Sequence, residues 1–96
     1  MKPLRLGISP RAKTQLARIR RWSREHGHLE RFETELARVT ALLQDNPEAG
    51  HAYGDEHRRV LMPRTQRYLY YRVDHNNSVL WLVAFWHTSR GRTPRL

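Results

Sequence analysis

The chain has 96 residues, enough for one domain with a modest core, and residues 1–96 are read as a single unit. It is 39% hydrophobic with three Trp, four Tyr and two Phe, which excludes a disordered polyelectrolyte. No cysteine is present, so disulfides, thiolate metal sites and cysteine nucleophiles are excluded.

Eighteen basic residues oppose nine acidic ones, giving a net charge of +9, and sixteen of the eighteen are arginine. Arginine suits bidentate contacts to phosphate or carboxylate and stacking on rings. Such a surface attracts polyanions, either nucleic acid or an acidic protein. No apolar run approaches the roughly 20 residues that span a bilayer. The opening MKPLRLGISPRAK has no signal-like apolar stretch, so a cytoplasmic protein with no membrane partner is expected.

In chain order, PLRLGIS (3–9) alternates Leu4, Leu6 and Ile8 against Pro3, Arg5 and Gly7, the period of a half-buried strand. Ser9-Pro10 reads as an N-cap followed by proline at the first helical position. Ala12, Leu16, Ile19 and Trp22 then recur at helical spacing, and Gly27 ends the helix. A second helix follows at once, with Leu29, Phe32, Leu36, Val39 and Leu43 as its apolar seam. Glu30, Glu33 and Glu35 near its start suit the helix dipole, and Asn46-Pro47 ends it. The short link predicts a helical hairpin.

Residues 47–57 read as a polar turn region, and strands dominate after them. RRVLM alternates, then RYLYYRV places Leu69, Tyr71 and Val73 on one face and Tyr68, Tyr70 and Arg72 on the other. DHNNS is a hairpin turn, and VLWLVAFWH is a central strand whose alternation sends Trp81 and Trp86 to opposite faces. The tail TSRGRTPRL returns to loop composition. The predicted fold is α+β, with order β-α-α-β-β-β. It is a mainly antiparallel four-stranded sheet with the helical hairpin on one face and the other face open.

The stretch RRVLMPRTQRYLYYRV (58–73) holds five arginines and three tyrosines with no acid. Alternation sends Arg58 and Arg59 to opposite faces, so these arginines do not all form one patch. Tyr68 and Tyr70 suit either base stacking or cross-strand packing. His87 closes an apolar strand, and is either a general acid or base or a strand-end residue holding the tail. Arg90, Arg92 and Arg95 are contacts or solvated tail charges. The six histidines (26, 28, 51, 57, 75 and 87) are scattered without ligand spacing, so neither a metal nor any other cofactor is expected. No glycine-rich phosphate loop or serine elbow is present.

With these elements in order, the chain resembles the RelE/ParE superfamily of toxins from bacterial type II toxin–antitoxin modules. SPRAKTQLARI, LLQDNPEAG, RRVLMPRTQRYLYYRVD and LVAFWHTSR carry the resemblance over essentially the whole chain. RelE-like members cut mRNA, usually on the ribosome, whereas ParE-like members bind DNA gyrase and stall it on cleaved DNA. RelE-like sequences commonly carry an arginine inside the third strand and a tyrosine or histidine late in the chain. Here no arginine follows Tyr68-Leu69-Tyr70-Tyr71 until Arg72, no tyrosine follows Arg90, and the two lysines are Lys2 and Lys13. The ending WHTSRGRTPRL is closer to the ParE branch.

The resemblance therefore implies a gyrase-binding toxin neutralised by an acidic antitoxin, touching DNA only indirectly through that antitoxin. The alternatives are a RelE-like mRNA interferase acting with the ribosome, and a plain basic nucleic-acid-binding domain. The expected target-binding set is Arg58, Arg59, Arg64, Arg72, His87 and Arg90. No catalytic set is assigned; a nuclease would draw on His87, Arg90 and Arg64. The expected antitoxin surface is the hairpin with the adjoining sheet edge, including Leu16, Ile19, Trp22, Arg18 and Arg21.

Overall fold

A computed structural model describes residues 3–96. Strand β1 (Arg5–Ile8) leads into helix α1 (Pro10–Glu25), then α2 (Leu29–Asp45) and a 3-10 turn at Pro47–Ala49. Strands β2 (His51–Tyr53), β3 (His57–Met62), β4 (Arg67–Asp74) and β5 (Val79–His87) complete the chain. They form one sheet in the order β1-β5-β4-β3-β2, in which β1 runs parallel to β5 and the other pairs are antiparallel.

The helix boundaries follow from local chemistry. Ser9 Oγ accepts the Ala12 amide at 3.1 Å and donates to the Val83 carbonyl at 3.0 Å, so one hydroxyl caps α1 and ties it to β5. Gly27 takes φ +72°, a left-handed conformation that turns the chain between the two helices. The Arg20–Glu33 ion pair then bridges α1 and α2. With both side chains about two-fifths exposed, it contributes about 0–1 kcal/mol.

The main core lies between the hairpin and one sheet face. Ala12 and Leu16 from α1 meet Phe32, Leu36, Val39 and Leu43 from α2 over Met62, Leu69, Tyr71, Leu80, Leu82 and Phe85. The seam expected on α2 is thus the buried one. Each fully buried residue such as Phe32 or Leu43 contributes about 1.5–3 kcal/mol.

Four details correct the expectation from sequence. The sheet has five strands, because His51–Tyr53 pair with Arg59–His57 inside the segment read as a turn. Three residues are too few to show alternation. Second, β4 and β5 slip register between Tyr70/Ala84 and Tyr71/Leu82, leaving Val83 as an extra residue. This bulge brings Trp81 and Trp86 to the same face, with Trp81 opposite Arg72 and Trp86 opposite Tyr68.

Third, the second face is not bare. Tyr70, Ala84 and Trp86 form a smaller cluster there, with Tyr53 and Tyr68 against it. The tail crosses this cluster: Trp86 Nε1 donates to Arg92 O at 2.7 Å and Tyr53 Oη to Pro94 O at 2.7 Å. Arg11 on α1 donates to Arg95 O, so the tail is held from both the sheet and the helix. Fourth, Glu35 does more than answer the helix dipole. It is 2% exposed, and Oε2 accepts the Arg64 amide at 2.8 Å while Oε1 accepts the Thr65 amide at 3.0 Å.

Beyond Ile8 the outer edge of β5 has no strand beside it. The N-cap of α1 and a side chain of its second turn replace one: Ser9 Oγ donates to the Val83 carbonyl, and the Phe85 amide donates to Gln15 Oε1 at 2.7 Å. The end of β5 is thereby fixed against α1, and this end carries His87.

Candidate target-binding surface

The second sheet face is built from arginines laid on rings. Arg59 projects from β3, with its guanidinium 4.2 Å from the centre of Tyr68 and 6.0 Å from that of Tyr53. Its Nη1 donates to the Tyr70 hydroxyl at 3.2 Å. That hydrogen bond, outweighing partial burial, holds the guanidinium above its ordinary value, so Arg59 stays charged. Tyr70 is buried while its edge meets Tyr53 at 4.8 Å, which fixes the platform beneath Arg59.

Across the face, Arg90 sits 4.1 Å above Trp86 and Arg92 sits 5.8 Å from the same ring. Cation–π contacts of this kind are worth about 0.5–1 kcal/mol at exposed sites. Arg59, Tyr68, Tyr70, Trp86, His87 and Arg90 line a cleft of about 210 Å³ between sheet and tail.

His87 stands at the corner of this cleft, exposed at the end of β5. The Ser89 amide donates to its Nδ1 at 3.1 Å, and the Ser89 hydroxyl lies 2.7 Å from the same nitrogen. An amide can only donate, so Nδ1 is the acceptor and the ring proton sits on Nε2. Arg67 lies opposite His87 on β4. Burial pulls its guanidinium below the ordinary value, opposed by the charge of Glu35.

The structure gathers only part of the expected target-binding set. Arg59, His87 and Arg90 share one cleft. Arg58 lies on the other face, opposite Tyr71, with Nη1 donating to Gly50 O at 2.8 Å. Arg72 sits 5.7 Å from Trp81, on the far side of the bulge. Arg64 is exposed in the β3–β4 turn and lines a second cleft, which His87 also lines.

On the hairpin, Leu16 is 3% exposed and offers no surface, because its side chain faces the core. Ile19 is half-buried against that core, whereas Arg18, Arg21 and Trp22 are exposed. Arg18 and Ile19 share a hollow of about 200 Å³ with Arg67, His87 and Arg90. The expected antitoxin surface and the expected target surface therefore touch at His87 and Arg90.

Composition announced the arginines and rings but not their stacking, which depends on cross-strand register. Arg67 and the tail carbonyls were not singled out from sequence at all. Among the described residues no group of three or more His, Cys, Asp or Glu stands ready to hold a metal. Lys13 lies on α1, and Lys2 falls outside the described residues. No helix among the described residues is long and apolar enough to cross a membrane.

A parallel edge strand, a helical hairpin and an antiparallel meander closing on an arginine–aromatic face define a small basic α+β protein. Over residues 6–92 the chain matches the family model described as the ParE toxin of the type II toxin–antitoxin system, parDE, and it belongs to that family. Membership implies an antitoxin protein as partner. A comparison with curated protein sequences finds no match.

Proposed function

We propose that this protein is a toxin that binds and inhibits DNA gyrase in the cytoplasm, and that an acidic antitoxin neutralises it. One observation carries the reading: Arg59 and Arg90 lie on rings beside a cleft lined by one imidazole and no carboxylate. Cleaving RNA requires one group to take the 2′-OH proton and another to protonate the leaving oxygen, roles that here would fall to His87 and the Tyr68 and Tyr70 hydroxyls, the last already bonded by Arg59. Charged planes fixed on aromatic platforms suit a protein interface, where Arg, Tyr and Trp dominate the binding energy.

Neutralisation follows from the shared hollow. A segment lying along α1 over Arg18 and Ile19 reaches Arg67, His87 and Arg90 without leaving that hollow. An acidic amphipathic tail that orders on binding can cover both at once. The antitoxin would then block the target sterically.

The mRNA interferase reading has one observation in its favour, the meeting of His87, Arg90 and Arg59 in a single cleft. Binding of the purified chain to gyrase subunits, measured by calorimetry, separates the two. The expected result is binding that weakens at least about tenfold in Arg59→Ala or Arg90→Ala, the loss of a central interface arginine. Wild-type affinity in both variants, or no binding at all, would refute the reading.

A further inference from the structure

The second cleft lies at the end of the molecule where the hairpin turn, the β3–β4 turn and the end of β5 converge. It measures about 470 Å³, within the range of small-ligand sites. Arg31, Arg64 and Arg67 line it together with Trp22, His28 and His87. Arg67 and His87 also line the neighbouring hollow, which adds Arg18 and Arg90.

Five arginines thus follow one another around a corner of the protein, and no carboxylate lines either hollow. Glu35, which holds the turn bearing Arg64, is buried, and both its oxygens are taken by the β3–β4 turn. It orders the turn that carries Arg64, and although its charge acts on Arg67 it forms no ion pair with the arginines of the mouth. Among the described residues the one ion pair is Arg20–Glu33, so none of these five arginines is paired with an acid.

The aromatic wall narrows the choice of anion. Trp22 is 46% exposed and is already held by stacking on His26 at 4.1 Å and His28 at 5.7 Å. Ordered rings beside a line of guanidinium groups match a strand of alternating bases and phosphates. A duplex keeps its bases stacked inside and offers only phosphates to such a wall. A purely acidic peptide satisfies the arginines but leaves the ring wall without a partner.

We propose that this end cleft binds a single-stranded nucleic-acid segment, with phosphates on Arg31, Arg64 and Arg67 and a base against Trp22. The inference can fail without the gyrase reading, since Arg31, Arg64, Arg67 and Trp22 lie outside the cleft of Arg59 and Arg90, with which this one shares His87.

The test is fluorescence anisotropy of a labelled thymidine oligonucleotide of about ten nucleotides, titrated with the full chain across a range of salt. Arg31→Ala/Arg64→Ala should weaken binding at least about tenfold and reduce the salt slope by about 1.4, the single-strand value for two lost phosphate contacts. Trp22→Phe should weaken oligonucleotide binding and leave binding of a poly-glutamate peptide unchanged. Lys13→Ala/Arg38→Ala removes the same charge elsewhere and should retain wild-type affinity within about twofold. Arg31→Lys/Arg64→Lys should restore the salt slope, and unchanged thermal midpoints verify folding. Absence of oligonucleotide binding would overturn the proposal. So would equal loss in both charge-removal variants, preference for a matched duplex, or poly-glutamate binding that matches the oligonucleotide and responds equally to Trp22→Phe.

Discussion

Glu35 on α2 grips Thr65 in the β3–β4 turn by two bonds to one oxygen, from the amide at 3.0 Å and from the hydroxyl at 2.6 Å. Its other oxygen takes the Arg64 amide. A buried carboxylate meets its desolvation cost only through such a set of donors. Glu35→Ala leaves those donors unmet and should cost about 2–4 kcal/mol, several times the ordinary net value of one hydrogen bond. Urea unfolding measures the cost, and amide exchange at Arg64 and Thr65 should accelerate more than exchange in β5. Uniform acceleration would show that Glu35 supports the core generally and not this turn.

Tyr71 performs a matching task at the other end of the sheet. Its hydroxyl donates to Pro47 O at 2.6 Å and accepts the Gly50 amide at 2.9 Å, pinning the turn after α2 to β4. Burial raises its ionisation above the ordinary value of 10.0, opposed by the Gly50 bond and the Arg58 charge. The folded state therefore holds this proton more tightly than the unfolded one. That contribution is complete below about pH 10 and is lost as pH rises through the elevated folded value. Tyr71→Phe should cost about 1–3 kcal/mol at neutral pH and should flatten the alkaline loss of stability. Parallel alkaline limbs for the two proteins would assign the loss to other groups.

Gly50 is required by space, since its φ is an ordinary −80°. A Cβ there would strike the Tyr71 hydroxyl and come within 2.7 Å of the Arg59 carbonyl. Gly50→Ala should destabilise by about 1–3 kcal/mol, an overpacking penalty in a site walled by backbone. Gly54→Ala has open space but a φ of +67°, so its cost should be about 1 kcal/mol and purely conformational. Thermal unfolding of the pair separates the two causes, and the larger loss is expected at Gly50.

Some of this was written plainly in the sequence and some was not. Ser9-Pro10, Gly27 and Asn46-Pro47 marked the helix ends, because capping chemistry is local. Glu35 also left a signal, a carboxylate set among Phe32, Leu36 and Val39 on the apolar seam. Its place near the start of α2 also suits the helix dipole, so position alone does not reveal the buried bonds. The Val83 bulge was hidden, since alternation assumes an unbroken period of two and one extra residue reverses every assignment beyond it. Strand order was hidden too, because composition says nothing of which strand β1 joins. Tail packing stayed out of sight because it uses the carbonyls of Arg92, Pro94 and Arg95, which every residue type supplies.

The tail bonds carry a consequence for the target surface. Trp86→Phe keeps a ring under Arg90 but removes the bond from Nε1 to Arg92 O. Stability should fall by about 0.5–1.5 kcal/mol, the net value of one hydrogen bond. Amide exchange in residues 88–95 should rise at the same time. An unchanged tail would show that Tyr53 and Arg11 suffice to hold it.

On the function proposed above, the arginine–aromatic face binds a topoisomerase and performs no chemistry on RNA. Its most direct test is one preparation of antitoxin-free protein assayed for gyrase supercoiling, with DNA cleavage complexes trapped and quantified, beside mRNA incubated with and without ribosomes. The expected result is inhibited supercoiling, accumulated cleavage complexes and intact mRNA, with inhibition lost in Arg90→Ala and retained in His87→Ala. Cut mRNA with gyrase unaffected, and cutting abolished by His87→Ala, would contradict it.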